Sequence, residues 1–151
     1  GLKDERRTLD KIAAGKTRVF TVPPVDFTLV ARKYLLDFSA LIKSNFSKTF
    51  AKVGINPESL DWQELYLQLA GHSKHCVAGD FSAFDGTIPP EIIAEICEVV
   101  IAVLASFSIP DIEEVSAAIR VIFNEITHTV TLARNELYIT HQGNPSGNPI
   151  T

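Results

Sequence analysis

Gly79-Asp80-Phe81-Ser82-Ala83-Phe84-Asp85-Gly86 sets two carboxylates five positions apart in an otherwise small or apolar stretch. The residues before it, His75-Cys76-Val77-Ala78-Gly79, read as a short apolar strand that delivers Asp80 at its end. An acid at the end of a buried strand is costly unless it is paired or bound to a cation. A carboxylate so placed can hold Mg²⁺, which takes one or two carboxylates together with phosphate oxygens. Asp85 lies past a turn and can face the same cleft from another angle. By spacing alone, the pair also matches an ordinary turn or helix cap.

Working outward, Thr87 with Pro89 and Pro90 opens a helix that runs to about residue 106, since proline is tolerated in a first turn. Ile109-Pro110 breaks it, and a further helix is expected over 111–126. Residues 127–132 and 136–141 are strand-like on either side of Ala133-Arg134-Asn135, which predicts a hairpin. On the other side, 17–22 alternates β-branched and aromatic residues as a short strand, closed by Pro23 and Pro24. Asp26 then stands as an N-cap for a helix over 28–43, and Asp61 with Glu64 forms a capping box for a short helix through Leu69. Val53-Gly54-Ile55-Asn56-Pro57 and the stretch 142–149 are loop chemistry. Helices and strands interleave without an internal repeat, so the fold class is α+β or α/β, and α+β is the one adopted.

Composition narrows the classes. Of 151 residues, 46% are hydrophobic and 21% charged, with a mean hydropathy of +0.14. That excludes disorder and low-complexity sequence and leaves enough apolar material for a core. The longest uncharged apolar stretch, 99–109, has eleven residues, where a membrane helix needs about 20. The charged opening does not read as a signal peptide. Cys76 and Cys97 have no metal or redox spacing and are expected to be small buried hydrophobes in a reducing compartment. His72, His75, His128 and His141 show no metal-ligand spacing, and Gly143-Asn144-Pro145-Ser146-Gly147 is not a nucleophile elbow.

The net charge is −4, but it is unevenly spread. Residues 1–18 carry six basic and three acidic side chains, a net of +3, and the remainder carries eight and fifteen, a net of −7. A basic arm on an acidic body points to an anionic ligand at one end, with a solvated surface segment as the plain alternative. Lys3, Arg7, Lys16 and Arg18 offer point charges and forked donors that suit triphosphate oxygens. Ser146-Gly147 offers a hydroxyl and exposed N–H groups in a flexible turn, and reads equally as a surface loop. The chain has no methionine and stops just after a Gly/Pro-rich loop, so it is expected to be a fragment.

The order of these pieces resembles the RNA-dependent RNA polymerase of picorna-like positive-strand RNA viruses over essentially the whole length. Lys3-Asp4-Glu5-Arg6-Arg7 followed by Gly15-Lys16-Thr17-Arg18 resembles motif F of the fingers. Asp80-Phe81-Ser82-Ala83-Phe84-Asp85-Gly86 resembles motif A of the palm. Gly143-Asn144-Pro145-Ser146-Gly147-Asn148-Pro149-Ile150-Thr151 resembles the opening of motif B.

The resemblance implies a partial right-hand polymerase with fingers and palm portions and no thumb. Its divisions would be 1–31 as fingers with motif F, 32–126 as palm with motif A, 127–143 as a fingers hairpin and 144–151 as the start of motif B. It implies Asp80 as the catalytic, metal-binding acid for Mg²⁺, with Mn²⁺ as substitute. Asp85 would sit by the ribose and help select its 2′-OH. Lys3, Arg7, Lys16 and Arg18 would contact the triphosphate, Ser146 and Gly147 would flank the nascent base pair, and Thr151 would support the ribose pocket through Asp85. The implied partners are template and primer RNA, nucleoside triphosphates, the remainder of the polymerase and other viral replication proteins. The implied place is the host-cell cytoplasm, at viral replication complexes. The Gly-Asp-Asp motif lies beyond this sequence, so the piece alone is expected not to polymerise.

Two rivals remain at this point. One is a non-catalytic RNA-binding or structural module that uses only the basic arm. The other, a reverse transcriptase, is disfavoured by an acid at the ribose position, where a DNA-making enzyme excludes the 2′-OH with bulk.

Overall fold

A computed structural model describes residues 3–16 and 18–148. In chain order the elements are α1 (Leu9–Ala13), α2 (Val25–Ser44), α3 (Leu60–His72), α4 (Phe84–Thr87), α5 (Pro90–Ala105), α6 (Ile112–Thr127), β1 (Val130–Ala133) and β2 (Glu136–Ile139). The fold is mixed, mainly helical, with one two-stranded sheet among the described residues. The chain divides into two compact units, Gly1–Tyr34 with Ala83–Thr151, and Leu35–Ser82. No described helix is long and apolar enough to cross a membrane.

The core of the larger unit is the α5–α6 pair. On α5, Ile93, Cys97, Val100, Ile101 and Leu104 are buried, a stripe at helical spacing. On α6 the matching stripe is Ile119, Ile122, Phe123 and Ile126. Each such side chain contributes about 1.5–3 kcal/mol on leaving water. Pro90 opens α5, where a missing N–H costs nothing. Ser108 and Asp111, both at positive φ, turn the chain into α6. Arg120 donates from Nε and Nη2 to the two carboxylate oxygens of Glu98, each at 2.8 Å, and ties the two helices on their exposed side. That fork holds the Glu98 carboxyl below its ordinary range.

The predicted hairpin forms, with Val130 opposite Ile139 and Ala133 opposite Glu136. Arg134 takes a positive φ at its turn. Tyr138 donates its hydroxyl to Glu136, which raises the phenol above its ordinary range.

In the smaller unit, Lys52 Nζ donates to the Phe46 carbonyl at 2.7 Å and to Gln68 Oε1 at 2.8 Å, which fastens the 46–52 turn to α3.

Several local expectations need correction. Residues 75–79 form no strand, and 75–80 are exposed. A lone extended segment has no ladder to satisfy its backbone, and among the described residues nothing pairs with 76–80. The 17–22 strand reduces, among the described residues, to an isolated bridge at Val19. Helix α2 starts at Val25, so Asp26 lies in its first turn and accepts from the Phe27 N–H at 2.9 Å instead of capping from outside. The cap of α3 is Ser59, whose hydroxyl accepts from the Asp61 N–H at 3.1 Å, not the Asp61–Glu64 pair. Ser59 stands just outside the first turn, where a hydroxyl can accept from an orphan N–H, whereas Asp61 already lies within that turn. Helix α1 was not anticipated, since five residues carry too little periodicity to register.

The cysteines differ in the same way. Cys97 is buried and its thiol is pushed above its ordinary range mainly by that burial, whereas Cys76 is exposed. Alkylation with iodoacetamide at neutral pH is expected to label Cys76 and leave Cys97 unmodified until denaturant is added. Mass spectrometry of the digested protein checks this, and equal labelling of both thiols in the folded chain would contradict the α5–α6 core.

Candidate functional site

Three stretches far apart in sequence meet in the larger unit: the basic arm, the α4 turn and the loop after β2. In the arm, Lys3 donates its backbone N–H to the Arg18 carbonyl at 3.0 Å, so the two ends of the arm lie side by side. Glu5 sits between its guanidiniums, pairing with Arg7 at 2.9 Å and with Arg18 at 3.4 Å. One carboxylate thus gathers two cations that the sequence offers separately. Arg7 is the better covered of the two, and its Nε is buried without a partner among the described residues. Such a group has unspent capacity to donate. Lys16 is exposed, and its backbone N–H closes onto the Lys11 carbonyl at 2.9 Å.

The α4 turn carries Asp85. It begins at Ala83, which takes a positive φ, and Thr87 Oγ1 donates back to the Ala83 carbonyl at 3.0 Å. Four residues make too short a helix to stand alone, and its terminal carbonyls need donors from elsewhere. The loop after β2 supplies them. Asn144 N–H donates to the Asp85 carbonyl at 2.7 Å, and Gly143 N–H to the Ile88 carbonyl at 2.9 Å. Gln142 Nε2 donates to the Gly86 carbonyl at 3.0 Å.

Further along the same loop, the Ser146 carbonyl accepts from the Thr21 N–H at 2.6 Å, just beyond the arm. Gly147, at φ +100°, lies so close to the Thr21 carbonyl that a side chain there would overlap it. The loop closes on itself through Asn148 Nδ2 to Asn144 Oδ1 at 2.9 Å. It therefore joins the Asp85 turn at one end to the arm at the other.

Of the residues expected at a site, Lys3, Arg7 and Arg18 are brought together, as are Asp85 and the 142–147 loop. Lys16 has no side-chain partner among the described residues. Asp80 belongs to the smaller unit, with an exposed carboxylate. Thr151 lies outside the described residues. Sequence reasoning missed Glu5, Thr21, Gln142 and Asn144. Three of these four act through the backbone or an exposed amide and leave no compositional trace. Glu5 was visible only as one acid among the arm's bases.

Among the described residues, no three or more of His, Cys, Asp and Glu gather into a group able to hold a metal. Asp80 stands as a single exposed carboxylate, a ligand type that Mg²⁺ accepts alongside water and phosphate oxygens, and it is no part of a closed protein cage among the described residues.

Comparison with known proteins gives a consistent family. The family model described as viral RNA-dependent RNA polymerase matches residues 1–151. The chain is 33% identical to the replicase polyprotein of Cricket paralysis virus, over 99% of the chain and 9% of that polyprotein. It is 35% identical to the replicase polyprotein of Drosophila C virus, again over 99% of the chain and 9% of the polyprotein. It is 37% identical to the genome polyprotein of Rice tungro spherical virus (strain Vt6), over 99% of the chain and 4% of the polyprotein. No solved structure matches. The chain spans less than a tenth of the length of these relatives, within which it corresponds to a polymerase region. It belongs to the viral RNA-dependent RNA polymerase family.

Proposed function

We propose that this chain is the part of an RNA-directed RNA polymerase that receives the incoming nucleotide, contributing portions of the fingers and palm. The observation that carries the reading is the convergence of the basic arm, the Asp85 turn and the Ser146-Gly147 loop through the Thr21–Ser146 and Asn144–Asp85 backbone bonds. Cations for a triphosphate, a carboxylate for a sugar hydroxyl and a flexible turn for the base are what one bound nucleotide requires along its length. The reaction is attack of the primer 3′-OH on the α-phosphorus, with pyrophosphate leaving.

Phosphoryl transfer leaves the protein mainly positioning and charge stabilisation. In this reading Arg18 and Arg7, preset by Glu5, turn their donors to the triphosphate as it arrives, with Lys3 and Lys16 adding charge nearby. Asp85 accepts from the ribose 2′-OH, and Ser146 and Gly147 flank the base pair, with Thr151 supporting Asp85. Asp80 would hold Mg²⁺ or Mn²⁺, which when bound supplies Lewis-acid stabilisation of the reacting oxygens. The partners are template and primer RNA, nucleoside triphosphates, the remaining palm and thumb, and other viral replication proteins in cytoplasmic replication complexes. The pairing of Arg7 and Arg18 with Glu5 leaves the arm's net charge unchanged and fixes where its two guanidiniums stand, an ordering that a simple basic RNA clamp does not need.

The test is primer extension by the complete polymerase region on an RNA template, with Mg²⁺ and ribonucleotides. Templated products are expected, and their absence from a folded, RNA-bound protein would refute the reading. Within that assay, Arg18→Ala is expected to raise the nucleotide KM or lower kcat by about 10- to 150-fold, the loss of one charge-assisted contact of about 1.5–3 kcal/mol. Unchanged steady-state kinetics would return Arg18 to a solvated surface role.

A further inference from the structure

The Asp85 side chain has no hydrogen-bonding or ionic partner among the described residues, so its placement rests on the backbone beneath it. That backbone is held from outside. Three carbonyls of the α4 turn, those of Asp85, Gly86 and Ile88, each accept from consecutive residues Asn144, Gln142 and Gly143. Gly143 is buried, and it stands at φ +85°. A methyl group on it would overlap the Asp85 carbonyl oxygen and come within 3.1 Å of Gly86 Cα. Both the positive φ and the missing side chain are needed for the loop to lie this close.

We infer that Gly143, with Gln142 and Asn144, forms a clasp of positioning residues that sets where Asp85 stands and so takes part in sugar selection. The inference rests on the reading of Asp85 as the ribose acceptor. A carboxylate discriminates a hydroxyl from a hydrogen only when it is held within hydrogen-bond reach, and a displacement of about 1 Å can cost as much as 10²-fold. A side chain at position 143 would push the turn by a comparable distance. The clasp would then slip while the arm and its cations stay in place.

The experiment is single-nucleotide incorporation by the complete polymerase with matched ribo- and deoxyribonucleotides, comparing Gly143→Ala, Gln142→Ala and Asp85→Ala. Gly143→Ala is expected to narrow the ribo-to-deoxy ratio of kcat/KM by about 5- to 20-fold, within the range that misplacement can cause. Gln142→Ala removes only an exposed amide's bond, so it folds normally and is expected to narrow the ratio by about 2- to 5-fold. In an Asp85→Ala background neither change is expected to narrow the ratio further, because the group they position is gone. A purely structural role would lower both sugars' rates by one common factor. If Asp85→Ala narrows the ratio while Gln142→Ala and Gly143→Ala leave it unchanged, the clasp is refuted and the ribose reading stands. If Asp85→Ala itself leaves the ratio unchanged, the ribose reading falls and the clasp falls with it.

Discussion

Asp80→Asn in the complete polymerase is expected to abolish nucleotide incorporation while RNA affinity stays close to that of the wild type. The substitution keeps size and shape but removes the negative charge and one acceptor oxygen. A metal ion contributes several kcal/mol of charge stabilisation at the reacting oxygens. At about 1.4 kcal/mol per tenfold, losing it lowers kcat by on the order of 10³-fold or more. In the proposed reading RNA binding rests instead on phosphate contacts from basic side chains, which Asp80 does not supply. Asp80 is exposed, so the amide has no reason to unfold the chain. Primer extension and filter binding on the same preparation separate the two effects. Parallel loss of activity and RNA affinity would make Asp80 a structural residue and remove it from the metal site.

The helical half of the fold was legible because helices carry their signal locally. The α5 and α6 stripes repeat over sixteen residues each, and Pro90 marks the start of α5. The hairpin was legible for the same reason, since its strands pair with near neighbours. The segment 75–79 failed on the opposite ground. Its apolar run is what a buried strand needs, but a strand exists only with a partner, and composition says nothing about partners. Caps fell between these cases: Ser59 and Asp61, two residues apart, are both eligible as N-cap, and only geometry chooses. The Ser59 hydroxyl takes the Asp61 N–H, and the Asp61 carboxylate accepts from the Asn56 N–H instead.

The site was legible to a different depth. Its charged residues stand out by type, and their order along the chain carried the family resemblance that the whole-length match bears out. What joins them does not stand out. The Asn144–Asp85 and Thr21–Ser146 links are backbone bonds between segments about 60 and 125 residues apart, available to almost any side chain. Gly143 and Gly147 were the visible trace, the first read as loop chemistry and the second as part of a flexible binding turn, and each permits a close approach of backbone to backbone.

Asp85→Ala is expected to change which sugar is used more than how fast the enzyme works. In the proposed role, the wild-type carboxylate opposite a deoxyribose has no hydroxyl to accept from, and an unmatched polar group in a closed site costs about 1–3 kcal/mol. That corresponds to about 5- to 150-fold discrimination against the deoxynucleotide. Removing the carboxylate removes the penalty together with the favourable contact to the ribose. Incorporation of ribonucleotides is therefore expected to fall while that of deoxyribonucleotides holds or rises. Its exposed side chain supports no core packing, so the truncation is not expected to destabilise the fold beyond about 0.5 kcal/mol. Thr151→Val, at a position whose role rests on the resemblance alone, is expected to shift the ratio in the same direction but less, since it acts through Asp85. The measurement is kcat/KM for matched ribo- and deoxyribonucleotides in the complete enzyme, read as a ratio so that general losses cancel. A ratio unmoved by Asp85→Ala would leave this acid as a turn residue of α4, and selection of RNA over DNA substrates would have to come from bulk elsewhere in the pocket.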